Sequence, residues 1–121
     1  MTISVRAAHA AADARIDEDW GSLCWLASQK LGNAVGLTLG RVVIKAGRSN
    51  PRHSHSTCEE VLYLLRGELE HVVGNAVYIL KAGDTLTVDA GVPHCATSIG
   101  DEDADMIVAY SSGSRDFQPE P

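Results

Sequence analysis

The chain has 121 residues, 45% apolar and 21% charged, with a formal charge of -6 at pH 7. That length supports one domain with one core, burying roughly two-thirds of the unfolded surface. An acidic chain with no Lys/Arg cluster argues against nucleic acid, and no apolar run is long enough to span a membrane; the polar start, MTISVRAAHAAADARIDEDW, does not read as a secretory leader, so the expected location is cytoplasmic.

Residues 1–20 read as an N-terminal arm. Ile3 and Val5 alternate as in a short strand, residues 7–14 suit one or two helical turns, and His9 is expected to be exposed. From residue 21 to 112 the pattern is β throughout. Residues 23–28 read as a strand, 30–33 as a turn, and 35–45 as a long strand with Gly36 and Gly40 marking bulges or bends. Pro51 cannot donate to a ladder and suits the start of the strand that carries His53 and His55.

Residues 61–65 are apolar at every position, so both faces of that strand need cover. If Glu60 points inward, Leu62 and Leu64 do too, while Val61, Tyr63 and Leu65 face outward. Leaving those three in water forgoes on the order of 5 kcal/mol of burial, which motivates a homodimer packed back to back. Residues 67–73 and 76–80, joined by Gly74-Asn75, read as a tight hairpin. Strands at 85–88, around His94 and at 105–111 complete about nine, the pattern of a sandwich or jelly roll. Residues 113–121, with two prolines, are expected to be loosely ordered or docked on a neighbour.

Cys24, Cys58 and Cys95 are odd in number and lack CxxC spacing, which argues against a disulfide framework. Buried small hydrophobes are the expected role for each.

The chemistry gathers in GRSNPRHSHSTCEEVLYLLRG, residues 47–67. On a strand His53 and His55 share a face; on a helix they would sit about 200° apart. Two imidazoles with the Glu60 carboxylate suit Fe(II), Mn(II), Ni(II), Co(II) or Zn(II), and His94 offers a fourth donor. His71 falls in a later strand, where a packed or interfacial role is favoured over a fifth ligand. Arg41, Arg52 and the three tyrosines are candidates to hold a substrate carboxylate, though Arg52 beside His53 should face away from a metal.

Gly47, five residues, His53-Ser54-His55, four residues, Glu60, six residues and Gly67 resemble the first cupin motif without deviation in spacing. Gly83, then Gly91, two residues and His94 resemble the second. Asp89 stands where the family usually has proline, and Ser98 where it often has asparagine. Neither is a ligand position in the family. The resemblance covers residues 47–98 and implies an all-β double-stranded β-helix, or jelly-roll barrel. It implies one divalent transition metal ion per chain, held by His53, His55, Glu60 and His94. The six-residue gap to Gly67 selects Glu60 over Glu59 as the carboxylate.

For function the resemblance implies a wide menu, from dioxygenases, isomerases, lyases and decarboxylases to non-catalytic sugar-binding or regulatory domains, and fold does not choose among them. The expected function is a metal-dependent enzyme on a small-molecule substrate, dioxygenase-like or isomerase/lyase-like. The alternative is a cupin that binds or senses a small metabolite without turnover.

Overall fold

The computed structural model describes residues 3–120. In chain order it contains α1 (Ala8–Asp13), β1 (Ile16–Glu18), β2 (Gly21–Ala27), β3 (Thr38–Ile44), β4 (His53–Ser54) and β5 (Glu60–Arg66). The chain continues through β6 (Glu68–Val73), β7 (Ala76–Lys81), β8 (Thr85–Val88), β9 (His94–Ser98), β10 (Ala104–Tyr110) and β11 (Gln118–Pro119). Two antiparallel sheets result, ordered β1-β2-β3-β10-β5-β8 and β11-β4-β9-β6-β7. Strands far apart in sequence are neighbours in both, and the sheets close face to face as a jelly roll.

Strand alternation builds the interior. On β5, Glu60, Leu62 and Leu64 are buried while Val61, Tyr63 and Leu65 are exposed. β10 matches this with Ala104, Met106, Val108 and Tyr110 inward. Fully buried Ile44, Leu64 and Leu69 close one end of the space between the sheets. Toward the other end the walls open into a pocket.

Gly40 and Gly67 are among the glycines that close approach requires. A Cβ on Gly40 would lie 2.6 Å from the Trp25 ring, so β3 yields the room that lets this indole lie on the pocket wall. Gly67 has a φ of +85° and passes so near Ala104 that a Cβ would sit 2.8 Å from its Cα. That position demands glycine on both counts.

Several elements differ from expectation. Ile3 and Val5 lie in no strand and are exposed, whereas the helical turn after them forms. β3 begins at Thr38, leaving Gly36 in the preceding loop, and the irregularity in this ladder falls instead between Trp25 and Ala27 of its partner. The histidine strand ends at Ser54, so His55 starts a loop. β1 and β11 are unforeseen because both are short exposed edge segments, with no alternating apolar face to announce them. The C-terminal tail is neither loose nor reserved for a neighbour. It folds back on its own barrel, where β11 pairs with β4, matching Gln118 to Ser54 and Pro119 to His53.

Candidate metal centre

The register of the second sheet sets His53 directly opposite His94. His55 follows one residue after β4 ends, and Glu60 opens β5 across the barrel. One donor atom from each of these four residues comes within 4.8 Å of all the others, and all four side chains are buried. The imidazole centroids form a near-triangle, with sides of 4.4 Å (His53 to His94), 4.9 Å (His53 to His55) and 5.2 Å (His55 to His94).

Backbone carbonyls decide the tautomers. His53 Nδ1 donates to Pro51 O at 2.6 Å, His55 Nδ1 to Asp116 O at 2.6 Å, and His94 Nδ1 to Val92 O at 2.9 Å. A carbonyl only accepts, so each Nδ1 carries a proton, and Nε2 is the nitrogen that each ring turns toward the centre. Outer hydrogen bonds of this kind are what orient metal-ligating histidines. Nε2 of His55 and of His94 each lie 3.2 Å from Glu60 Oε1; the His94 nitrogen hydrogen-bonds that oxygen, whereas His55 Nε2 makes no hydrogen bond. Three convergent Nε2 atoms, one of them orphaned and buried, beside a buried carboxylate fit a divalent transition ion.

The electrostatics agree. Burial alone would raise the Glu60 carboxyl, but the His55 and His94 imidazoles set against its Oε1 outweigh it and hold it well below the usual carboxylate range. Burial drives His53 down to about 4, keeping that ring neutral at pH 7. Burial also pulls on His94, but Glu60 overrides it and leaves this imidazole raised. The buried carboxylate thus calls for positive charge, and a bound cation answers that need.

His71 on β6 is buried against this cluster, its ring 5.9 Å from His94 and nearly parallel to it. Both of its nitrogens lack hydrogen-bond partners, and burial pushes it down to about 4. An unfolded imidazole titrates near 6.5, so between about pH 6.5 and 4 the unfolded chain takes up a proton that folded His71 refuses. The metal-free protein should therefore lose stability as pH falls through that window. His71→Leu should flatten the loss by on the order of 3 kcal/mol, read as the difference between urea midpoints at pH 7 and pH 4.5 in the two proteins. Identical slopes would contradict the burial argument.

The sequence reading overlooked three consecutive tail residues. Arg115 lies over the Trp25 ring at 4.4 Å and over Tyr110 at 5.2 Å. Asp116 accepts from the backbone N–H groups of Ser56 (2.7 Å) and Thr57 (2.9 Å) and from both hydroxyls, fixing the loop just after His55. Phe117 stacks on His53 at 4.7 Å. The available signal was composition: Phe117 is the chain's sole phenylalanine, set in a polar, proline-bearing tail.

Arg41, Tyr63 and Tyr78 need correction as substrate-holding candidates, whereas Arg52 faces away from the interior as expected. Arg41 is paired with Asp105 on the barrel's outside, and Arg52 with Glu120 and the Gly74 carbonyl, because each side chain points away from the interior face of its strand. Tyr63 and Tyr78 are exposed; Tyr110 alone of the three tyrosines reaches the interior, its ring 4.9 Å from His55. His53, Glu60 and His94 of the cluster line a cavity of about 490 Å³ with largely apolar walls, and Arg115 stands among its lining residues. Among the described residues Arg115 makes no ion pair.

The family model for the cupin domain matches residues 40–110. The chain is 33% identical over 88 residues to germin-like protein 3-5 of Oryza sativa subsp. japonica, covering 66% of this chain and 39% of the relative. It is 30% identical to oxalate oxidase 2 of Hordeum vulgare over an equal length and the same shares. It thus spans well under half the length of these curated relatives. The oxalate decarboxylase of Bacillus subtilis, a protein with Mn(II) centres, superposes with a TM-score of 0.80 at 18% identity, over 87% of this chain and 29% of that one. With more than half its residues matched by the family model and its strands wound as a jelly roll, the chain belongs to the cupin family.

Proposed function

We propose that the chain is a metal-dependent enzyme acting on a small carboxylate. His53, His55, His94 and Glu60 would hold one divalent transition ion, and Arg115 would take the substrate's charge. One observation carries this reading: three of the four convergent donors line a single open cavity with an arginine that has no acidic partner among the described residues. The kinship with oxalate oxidase supports the acid, and the likeness to an oxalate decarboxylase with Mn(II) centres makes Mn(II) the first ion to test.

A bound ion would supply Lewis acidity and, for a redox-active metal, one-electron chemistry. The chain's own residues do the rest. The three Nδ1–H bonds to backbone carbonyls fix ring orientation, so the site needs little rearrangement to bind. Glu60 lowers the centre's net positive charge to one for a divalent ion. Burial, aided by the Glu60 charge, pushes the Tyr110 phenol well above its ordinary value, so it stays protonated and available as a donor at neutral pH. Apolar walls limit the water that competes for the metal.

The test is oxygen uptake and CO₂ release by Mn(II)-loaded protein across a panel of small carboxylates under air and under argon. Consumption of at least one acid by the loaded protein, and by neither the metal-free protein nor free Mn(II), is expected. Carboxylate binding with no turnover by any of the five candidate metals would favour the sensor reading instead.

We also propose a homodimer through the outer face of the larger sheet, supported by the outward Val61, Tyr63 and Leu65. Sedimentation equilibrium at micromolar concentration should give twice the 12.9 kDa chain mass, and Tyr63→Glu should shift it toward the monomer. A parent protein that stays at 12.9 kDa would refute the dimer.

A further inference from the structure

Oxalate is a two-carbon diacid, and this cavity is poorly matched to it. At about 490 Å³ it lies within the range that takes ligands of roughly 300–1,000 Å³ sites, far more space than two carboxylates fill. Its walls are Leu23, Trp25, Val42, Leu62, Met106 and Val108, apolar surface that gains nothing from a bare diacid. Its acidic groups, Glu18 and Glu60, would repel a second carboxylate not bound to metal.

Two polar groups of the lining, apart from the metal donors, offer a ligand hydrogen bonds while having no hydrogen-bond partner of their own among the described residues. Arg115 is held by aromatic faces, a contact that fixes the guanidinium plane and leaves its N–H donors unspent. His71 is 2% exposed and neither ring nitrogen has a partner, a vacancy that a buried polar group rarely tolerates. A ligand that satisfies both carries a carboxylate, an apolar body and a second oxygen.

We infer that the substrate is a monocarboxylic acid with a branched or aromatic body and a hydroxyl or carbonyl oxygen, with Arg115 and His71 as its specificity-determining contacts. This rests on the metal-enzyme reading for the chemistry but not for the binding preference. Hydrogen bonds to a charged partner contribute roughly 1.5–3 kcal/mol, so loss of the Arg115 contact should weaken binding about 10- to 100-fold.

The experiment is isothermal titration of Zn(II)-loaded protein with 3-phenyllactate, 4-methyl-2-oxopentanoate, oxalate and the uncharged 3-phenyllactamide. Zinc is redox-inert and keeps oxidative turnover out of the measurement. At least one of the two apolar-bodied acids should bind tenfold or more tighter than oxalate and than the amide. Arg115→Gln should abolish that preference for acid over amide, Arg115→Lys should restore most of it, and His71→Leu should weaken the oxygen-bearing acids about fivefold. Zinc content and far-UV circular dichroism check that each variant is folded and loaded. Oxalate binding as tightly as both apolar-bodied acids, neither acid binding at millimolar concentration, or Arg115→Gln leaving affinity unchanged would each overturn the inference. None of these touches the metal-enzyme reading, which falls instead if the loaded protein turns over no carboxylate.

Discussion

Replacing His55 with alanine is expected to cut bound divalent metal from one ion per chain to below about a tenth after dialysis, because losing a direct donor should exceed the 10- to 100-fold that losing an outer partner costs. The side chain is 3% exposed, with Nδ1 committed to the Asp116 carbonyl and Nε2 left for the centre alone. Alanine offers no substitute, and no described histidine beyond His53, His55 and His94 belongs to the cluster. The loss also reads out as stability. A ligand at 100 times its dissociation constant stabilises the folded state by about 2.7 kcal/mol, so the thermal shift that zinc gives the parent should vanish in the variant. Full stoichiometric metal in His55→Ala, measured by inductively coupled plasma mass spectrometry, would remove His55 from the site.

Deleting residues 115–121 should be nearly as damaging, although none of them is a candidate ligand. The deletion takes away the acceptor that orients His55, the four hydrogen bonds by which Asp116 fixes Ser56 and Thr57, and the ring stacked on His53. These are outer contacts of two of the four donors, so zinc affinity in competition with a chelating dye should fall about 10- to 100-fold. Asp116→Ala separates the causes, since it keeps the main-chain carbonyl while removing the carboxylate clamp. Its loss should be the smaller. An unchanged affinity in the truncated chain would mean that the tail is packing and nothing more.

The four donors were legible because their spacing depends on strand alternation and on loops short enough to leave no slack. His53 and Glu60 fall where parity puts them, and even with His55 displaced into a loop the cluster forms. The outward set Val61, Tyr63 and Leu65 was legible for the same reason. The tail was not. Its contacts are long-range, joining residues about sixty positions apart, and within nine mostly polar and proline-bearing residues Phe117 alone hints at a docking site. Arg115 was hidden likewise, for the aromatic faces that hold it come from β2 and β10. His71 lies inside because β6 alternates, but its lack of partners shows only once every neighbour is known.

On the proposed reading, Nε2 of three histidines and the Glu60 carboxylate converge on one divalent ion. Anomalous diffraction from zinc-loaded crystals, collected on both sides of the zinc edge, tests it most directly. The predicted result is one strong peak per chain, about 2.0–2.2 Å from Nε2 of His53, His55 and His94 and from a Glu60 oxygen. A principal peak at the cysteines or on other surface groups, or none between these four residues, would contradict it.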